Sequence, residues 1–182
     1  MVISKKQTKK FLQASYKPGK KVPGNVYDHH LSGKRVSVYH NPTTGKATVI
    51  HRGTASITDW VKTNLPMAFG YEKGNRFSHA KKIQKLAEKK YGKTNVTTMG
   101  HSLGGRIAEK VGKKSAQIIT FNKAATPKSI LTKTPKKQQD IRTSGDLVSK
   151  LATLQKHSTP MKTISTKTLN PIKAHNVNQL TK

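Results

Sequence analysis

The chain has 182 residues and a mass of 20.1 kDa, the size of one domain, and 36 Lys and Arg against 7 Asp and Glu give a formal net charge of +29 and a pI near 10.5. Leu, Ile, Val and Phe make up 37 residues, about a fifth, which is the lower edge of compositions that fold. No apolar run reaches the ~18–20 residues of a membrane span, the opening residues lack the ~7–15-residue apolar core of a secretory signal, and the absence of cysteine excludes disulfides, thiol catalysis and Cys-ligated zinc.

Residues 1–24 are basic and carry turn signals at Pro18-Gly19 and Pro23-Gly24, so they read as a tail with at most one helical turn over 9–14, and the folded domain is expected over 25–182. Alternation of Val36 and Val38 with polar residues predicts a strand over 35–40. The turn chemistry of Asn41-Pro42-Thr43-Thr44-Gly45 joins it to a second strand over 47–51, making a β-hairpin. Residues 55–65 follow as a helix capped by Ser56 or Thr58, with Trp60, Val61 and Leu65 on one face, and Pro66 and Gly70 break it. The strongest helical pattern spans 78–91, capped by Ser78 and ended by Gly92, with an apolar stripe of Ala80, Ile83, Ala87 and Tyr91 widened by Leu86. A strand over 95–99, a helix over 103–113, a buried strand over 116–122 and shorter strands over 140–143 and 161–164 complete the pattern. Strands alternating with helices predict an α/β fold with a mostly parallel central sheet flanked by helices, behind the N-terminal hairpin.

The charge is lysine-dominated, 31 Lys to 5 Arg, and evenly spread, +15 up to Tyr91 and +14 beyond it. Scarce Arg and 5% aromatics leave little for reading or stacking on bases, so a nucleic-acid contact would be non-specific. A solvated lysine coat is the first reading of the excess, and attraction to an anionic surface, membrane or nucleic acid, is its functional counterpart.

One segment carries chemistry: Gly100-His101-Ser102-Leu103-Gly104-Gly105 fits G-x-S-x-G between a predicted strand and a predicted helix. A nucleophilic Ser102 needs a sharp, strained turn, and the flanking positions must be glycine because a side chain there would crowd it. The following helix aims its free N–H groups and positive end at the site. A serine also needs a base, and the base an orienting carboxylate, in the order nucleophile, acid, histidine. Glu109, Asp140 and Asp146 are the acids after Ser102. Glu109 lies two turns along the elbow helix and is carried away from the site. Asp146 is preferred because it follows its strand at a Ser144-Gly145 turn, whereas Asp140 stands at the start of that strand, before residues 141–143, and sites form beyond strand C-termini. Of the histidines after Asp146, His175 is preferred and His157 is the alternative; the earlier ones have the wrong chain order and no metal-ligand spacing. No metal or cofactor is expected.

The ordered set His51-Arg52-Gly53-Thr54, Asp59-Trp60, the GHSLGG elbow, Gly145-Asp146-Leu147-Val148 and His175 resembles the class 3 (fungal-type) lipases over roughly residues 35–180. The short, Lys-rich chain looks most like compact lipase-like proteins of large DNA viruses. The resemblance implies a minimal α/β-hydrolase fold with a Ser102, Asp146, His175 triad, and an oxyanion hole formed by the backbone N–H groups of Thr54 and Leu103. It also makes the helix bearing Trp60 a candidate lid. The sequence departs from the family at Phe121-Asn122-Lys123-Ala124, where Phe-Gly-x-Pro is usual, and at Arg106, where a small residue is common.

The expected activity is therefore hydrolysis of carboxylic esters of lipids, glycerides or phospholipids, through an acyl-enzyme. The alternative is a basic virion-packaging, nucleic-acid-binding or membrane-binding protein on an inactive hydrolase fold. The partners expected are a lipid or ester substrate and an anionic membrane surface; nothing in the sequence sets an oligomeric state. Without a signal or span, the expected location is cytoplasmic or virion-associated.

Overall fold

The computed structural model describes residues 3–54 and 74–181. Its frame is one seven-stranded sheet in sequence order: β1 (Val26–Tyr27), β2 (Val36–His40), β3 (Ala47–His51), β4 (Val96–His101), β5 (Gln117–Phe121), β6 (Gln138–Thr143) and β7 (Lys162–Ile164). The first three strands are antiparallel, and β3 to β7 run parallel. The expected hairpin is β2–β3, in register from Val36↔His51 to His40↔Ala47. Its turn closes where Asn41 Oδ1 accepts from the Thr44 N–H at 2.9 Å and Gly45 takes φ 66°.

Parallel strands consecutive in both sequence and space need crossovers, and right-handed crossovers all fall on one face of such a sheet. That face carries α2 (Asn75–Tyr91) and α3 (Leu103–Val111). Ala87 and Ile83 of α2 pack on Val38, Val49 and Val96, and Ile107 of α3 packs on Phe77 and Ala80. The helix expected from Ser78 starts earlier, at Asn75, because Gly74 serves as its extended N-cap and Phe77 is buried in the first turn. Leu86, expected on the apolar stripe, is 40% exposed. Gln84 and Glu88 take the inner face instead and can be buried because they bond to each other and to Ser115.

The opposite face shows the main departure from expectation. Residues 1–24, expected as a tail with a single helical turn, form α1 (Lys5–Ser15), an 11-residue helix packed on the sheet. Ser4 caps it by accepting from the Gln7 N–H. Its buried residues are Thr8, Phe11, Leu12, Ala14 and Ser15, four of which, Thr8, Phe11, Leu12 and Ser15, form a stripe spaced i, i+3, i+4, i+7. Two of the four are hydroxyl residues, which hid the helical period. Phe11, Leu12 and Leu180 cover Ile50, Met99, Ile119, Ile141 and Ile164. A 3-10 turn over Val177–Thr181 lies beside α1, tied by Lys9 Nζ to the Asn178 carbonyl at 2.9 Å and Gln13 Nε2 to Asn178 Oδ1 at 2.7 Å.

Two short helices complete the fold, α4 (Pro127–Ile130) and α5 (Pro171–His175), and α5 is capped by Asn170, whose side chain accepts from the Ile172 and Lys173 N–H groups. The predicted helix over 55–65, with Trp60, lies outside the described residues. Among the described residues no helix is long and apolar enough to cross a membrane.

Candidate functional site

Ser102 sits between the last residue of β4 and the first of α3, at φ 59° and ψ −130°. A non-glycine residue there is strained by about 1–3 kcal/mol, and only the surrounding packing holds it. The glycines around it make that packing feasible. A Cβ on Gly100 would fall on the Gly104 carbonyl, and one on Gly104 would fall on the His51 carbonyl. A Cβ on Gly53 would lie 2.8 Å from the His101 carbonyl and 3.0 Å from Ser102 Cβ. The motif glycines therefore serve two purposes, the elbow itself and the close approach of the 51–54 loop to it. Thr54 is half-buried at the end of that loop. Leu103 is the first residue of α3, so its N–H has no partner within the helix.

Asp146 and His175 meet across 29 residues of chain. Asp146 Oδ1 accepts from His175 Nδ1 at 2.8 Å, and both side chains are buried. The Val148 and Ser149 N–H groups donate to the same carboxylate at 3.1 and 2.9 Å. Burial pushes the Asp146 pKa up, but the hydrogen bond and charge of His175, with the Ser149 bonds, outweigh it and hold the carboxyl below its ordinary value. With Nδ1 protonated and facing the carboxylate, a neutral ring presents Nε2 as an acceptor, and that atom is buried without a hydrogen-bond partner. Such an atom can take a proton from a hydroxyl delivered to it.

Sequence reasoning missed the residues that hold His175 and the elbow together. His101 is fully buried, and its Nε2–H donates to the His175 carbonyl at 2.8 Å. Burial, then the neighbouring His175 ring, lowers its pKa to about 3, so the ring is neutral and Nδ1 accepts. The donor to Nδ1 is the Tyr16 hydroxyl at 2.6 Å, carried by the residue that ends α1. Burial raises the Tyr16 pKa to about 12, so it keeps the proton it donates. Asn122 is the second missed residue. Its Nδ2 donates to the Ala174 and His175 carbonyls at 3.2 and 3.1 Å, and its Oδ1 accepts from the Thr143 N–H at 2.8 Å. It takes φ 44°, a conformation asparagine tolerates, which accounts for its standing where the resembled family has glycine. The departure from the family pattern was its signal; nothing in the spacing pointed to Tyr16.

The alternative candidates form a separate buried network. His157 Nδ1 lies 2.9 Å from Asp140 Oδ2, and Lys123 Nζ reaches Glu109, Asp140 and Gln155. Arg106 also donates to Glu109. The unexpected Lys123 and Arg106 thus neutralise Glu109 and Asp140 beneath α3. Among the described residues no group of three or more His, Asp or Glu is placed to hold a metal ion.

A family model described as phospholipase-like, the Tle-like phospholipase domain, matches residues 14–179. No curated protein matches the chain in sequence. Among solved structures, the native Rhizomucor miehei lipase propeptide complex aligns with a TM-score of 0.50 and 13% identity over 79% of this chain and 61% of the lipase chain. A deletion mutant of the same complex aligns with a TM-score of 0.51 and 12% identity over 79% and 59%. The chain thus spans about 60% of the length of the lipase chains it matches and shares their fold.

Proposed function

The chain belongs to the phospholipase-like family, and from that premise we propose that it is a serine hydrolase of lipid carboxylic esters, with Ser102 as nucleophile, His175 as general base and acid, and Asp146 as its orienting carboxylate. The observation that carries the reading is the buried Asp146–His175 pair with Nε2 left unpartnered, its ring 4.6 Å from the ring of His101, the residue that precedes the strained Ser102.

Ser102 Oγ attacks the ester carbonyl carbon as His175 Nε2 takes its proton. The carbonyl oxygen becomes an oxyanion facing the backbone N–H groups of Thr54 and Leu103, each worth roughly 3–4 kcal/mol in such sites. Collapse breaks the C–O bond, and the alcohol leaves with the proton from His175. Water then adds to the acyl-enzyme with its proton passing to Nε2, and the fatty acid is released as Ser102 recovers its hydrogen. The ionised Asp146 keeps Nδ1 protonated and stabilises the imidazolium formed twice per cycle.

The test is hydrolysis of short- and long-chain p-nitrophenyl esters by the wild type, Ser102→Ala and Asp146→Asn. We expect a loss of about 10³-fold or more for Ser102→Ala and about 10⁴-fold for Asp146→Asn, which presents the wrong tautomer of His175. Equal turnover by wild type and Ser102→Ala would refute the assignment.

A further inference from the structure

Three of the five arginines of this lysine-dominated chain gather at the loop beside Ser102. The Arg52 N–H donates to the Arg35 carbonyl at 3.0 Å, and the Arg76 guanidinium donates to the Arg52 carbonyl. The Arg52 guanidinium lies over the Tyr16 ring, 5.9 Å from its centroid, and Tyr16 is the residue that holds His101. One residue beyond Arg52, the backbone of Gly53 packs against Ser102.

The β2–β3 register sets Arg35 beside Arg52 and the Arg76 bond ties in the third, but nothing in the fold balances their charge. Among the described residues none of the three arginines has an acidic partner. The Nε atoms of Arg52 and Arg76 are buried and make no hydrogen bond. Arg76 also occupies the first turn of α2, a 17-residue helix whose N-terminus has no side-chain cap and no acidic residue in its first turn. The positive end of a helix disfavours a cation there by about 0.3–1 kcal/mol. Burial first, and then the charges of Arg35 and Arg52, lower the Arg76 pKa to about 10. Three cations gathered without an acidic partner repel one another, and an anion entering among them relieves that repulsion. Planar guanidinium forks match the oxygens of a phosphoryl group, which lysines meet only as point charges.

We propose that Arg35, Arg52 and Arg76 form a subsite for a phosphoryl oxyanion next to the scissile ester, selecting phosphate-bearing lipid esters over neutral glycerides. The inference rests on the ester-hydrolase reading for its substrate and on the arginines alone for its anion. The phosphodiester of a glycerophospholipid lies a few bonds from its nearer acyl ester, which suits a cation cluster one residue from the proposed oxyanion loop.

The test compares dihexanoylphosphatidylcholine below its critical micelle concentration with dihexanoylglycerol, which carries the same esters without phosphate. The ratio of kcat/KM values is expected to favour the phospholipid in the wild type and to fall roughly 10- to 100-fold in Arg76→Gln and Arg35→Gln, the effect of losing a charged hydrogen bond. Arg76→Lys should restore only part of it, and a ratio unmoved by both Gln variants would overturn the subsite. Binding is measured separately on Ser102→Ala by calorimetric titration with the same phospholipid and with inorganic phosphate, so it does not depend on turnover. Binding abolished by Arg76→Gln without hydrolysis in the wild type would keep the subsite and sink the hydrolase. Inorganic phosphate binding as tightly as the lipid would assign the site to free phosphate, whereas lipid-selective binding assigns it to the headgroup. Melting temperature separates a structural role: Arg35→Gln, which removes a guanidinium that holds no backbone group among the described residues, should melt no lower than the wild type, and phosphate should raise the melting temperature of the wild type but of neither Gln variant.

Discussion

At the scale of single residues, the site is held by side chains that do no chemistry. Tyr16 donates to His101, His101 donates to the backbone of His175, and Asn122 donates to that same carbonyl. Tyr16→Phe keeps the ring and removes only the donor, leaving Nδ1 of His101 buried and unpaired. Such a group costs about 1–3 kcal/mol. We expect a matching drop in urea-unfolding free energy, together with a fall in kcat of roughly tenfold at little-changed KM, on the argument that a released His175 backbone spoils a geometry needed to within ~0.5 Å. An unchanged kcat would leave Tyr16 a structural residue only. The contact of Asp146 with His175 was legible because three acids and two histidines were the whole pool, and the rule that sites lie past strand C-termini thinned it further. Tyr16 was not legible: its partner lies 85 residues away, and no local period records a bond across that distance.

At the scale of elements, the hairpin could be read because β2 presents a period-2 pattern and because turn residues separate it from β3. Helices were legible when their buried stripe was apolar. In α1 the stripe is half hydroxyl, and in α2 part of it is Gln84 and Glu88, so hydrophobicity alone assigned the first to a tail and turned Leu86 inward. What the sequence could not carry is the pairing of buried polar atoms that makes such faces stable. The packing of α1 leads to a direct expectation. Leu12 is 1% exposed, and Leu12→Ala should destabilise the protein by about 2–5 kcal/mol, as for a core leucine rather than one in a tail. A denaturation midpoint within error of the wild type would return α1 to the status of an appendage.

At the scale of the whole molecule, all five described acidic residues, Asp28, Glu88, Glu109, Asp140 and Asp146, are buried, and of these Asp28 reaches an exposed lysine, Lys90, at 2.8 Å. Acid sensitivity then comes from within. His51 and His101 are buried and neutral, with pKa values lowered by burial to about 4 and about 3, whereas unfolded histidine titrates near 6.5. The unfolded chain therefore binds more protons below pH 6.5, and stability falls as pH drops from there through the folded values. Asp140, lowered to about 2 by His157 and Lys123 despite a burial effect that raises it, adds a loss from about pH 3.8 down to about 2. His157 acts oppositely: Asp140 raises its pKa, so its contribution is complete below pH 6.5 and is lost as pH climbs through the raised value. The unfolding free energy near pH 5 should change by about 2.7 kcal/mol per pH unit, the slope for two protons, and His101→Gln should roughly halve it. Urea midpoints between pH 4.5 and 7 decide this, and a flat profile would contradict it. The clasp between α1 and residues 177–181 has a different consequence, one of timing. Gln13 and Asn178 are 165 residues apart in the chain. During synthesis α2 and α3 can settle on the sheet as they leave the ribosome, while α1, made before them, finds Ile50 and Met99 early but completes its seat only when residues 177–181 arrive. Because Tyr16 rides at the end of that helix, the elbow is braced only after both have arrived, and the site is the last part of the molecule to mature.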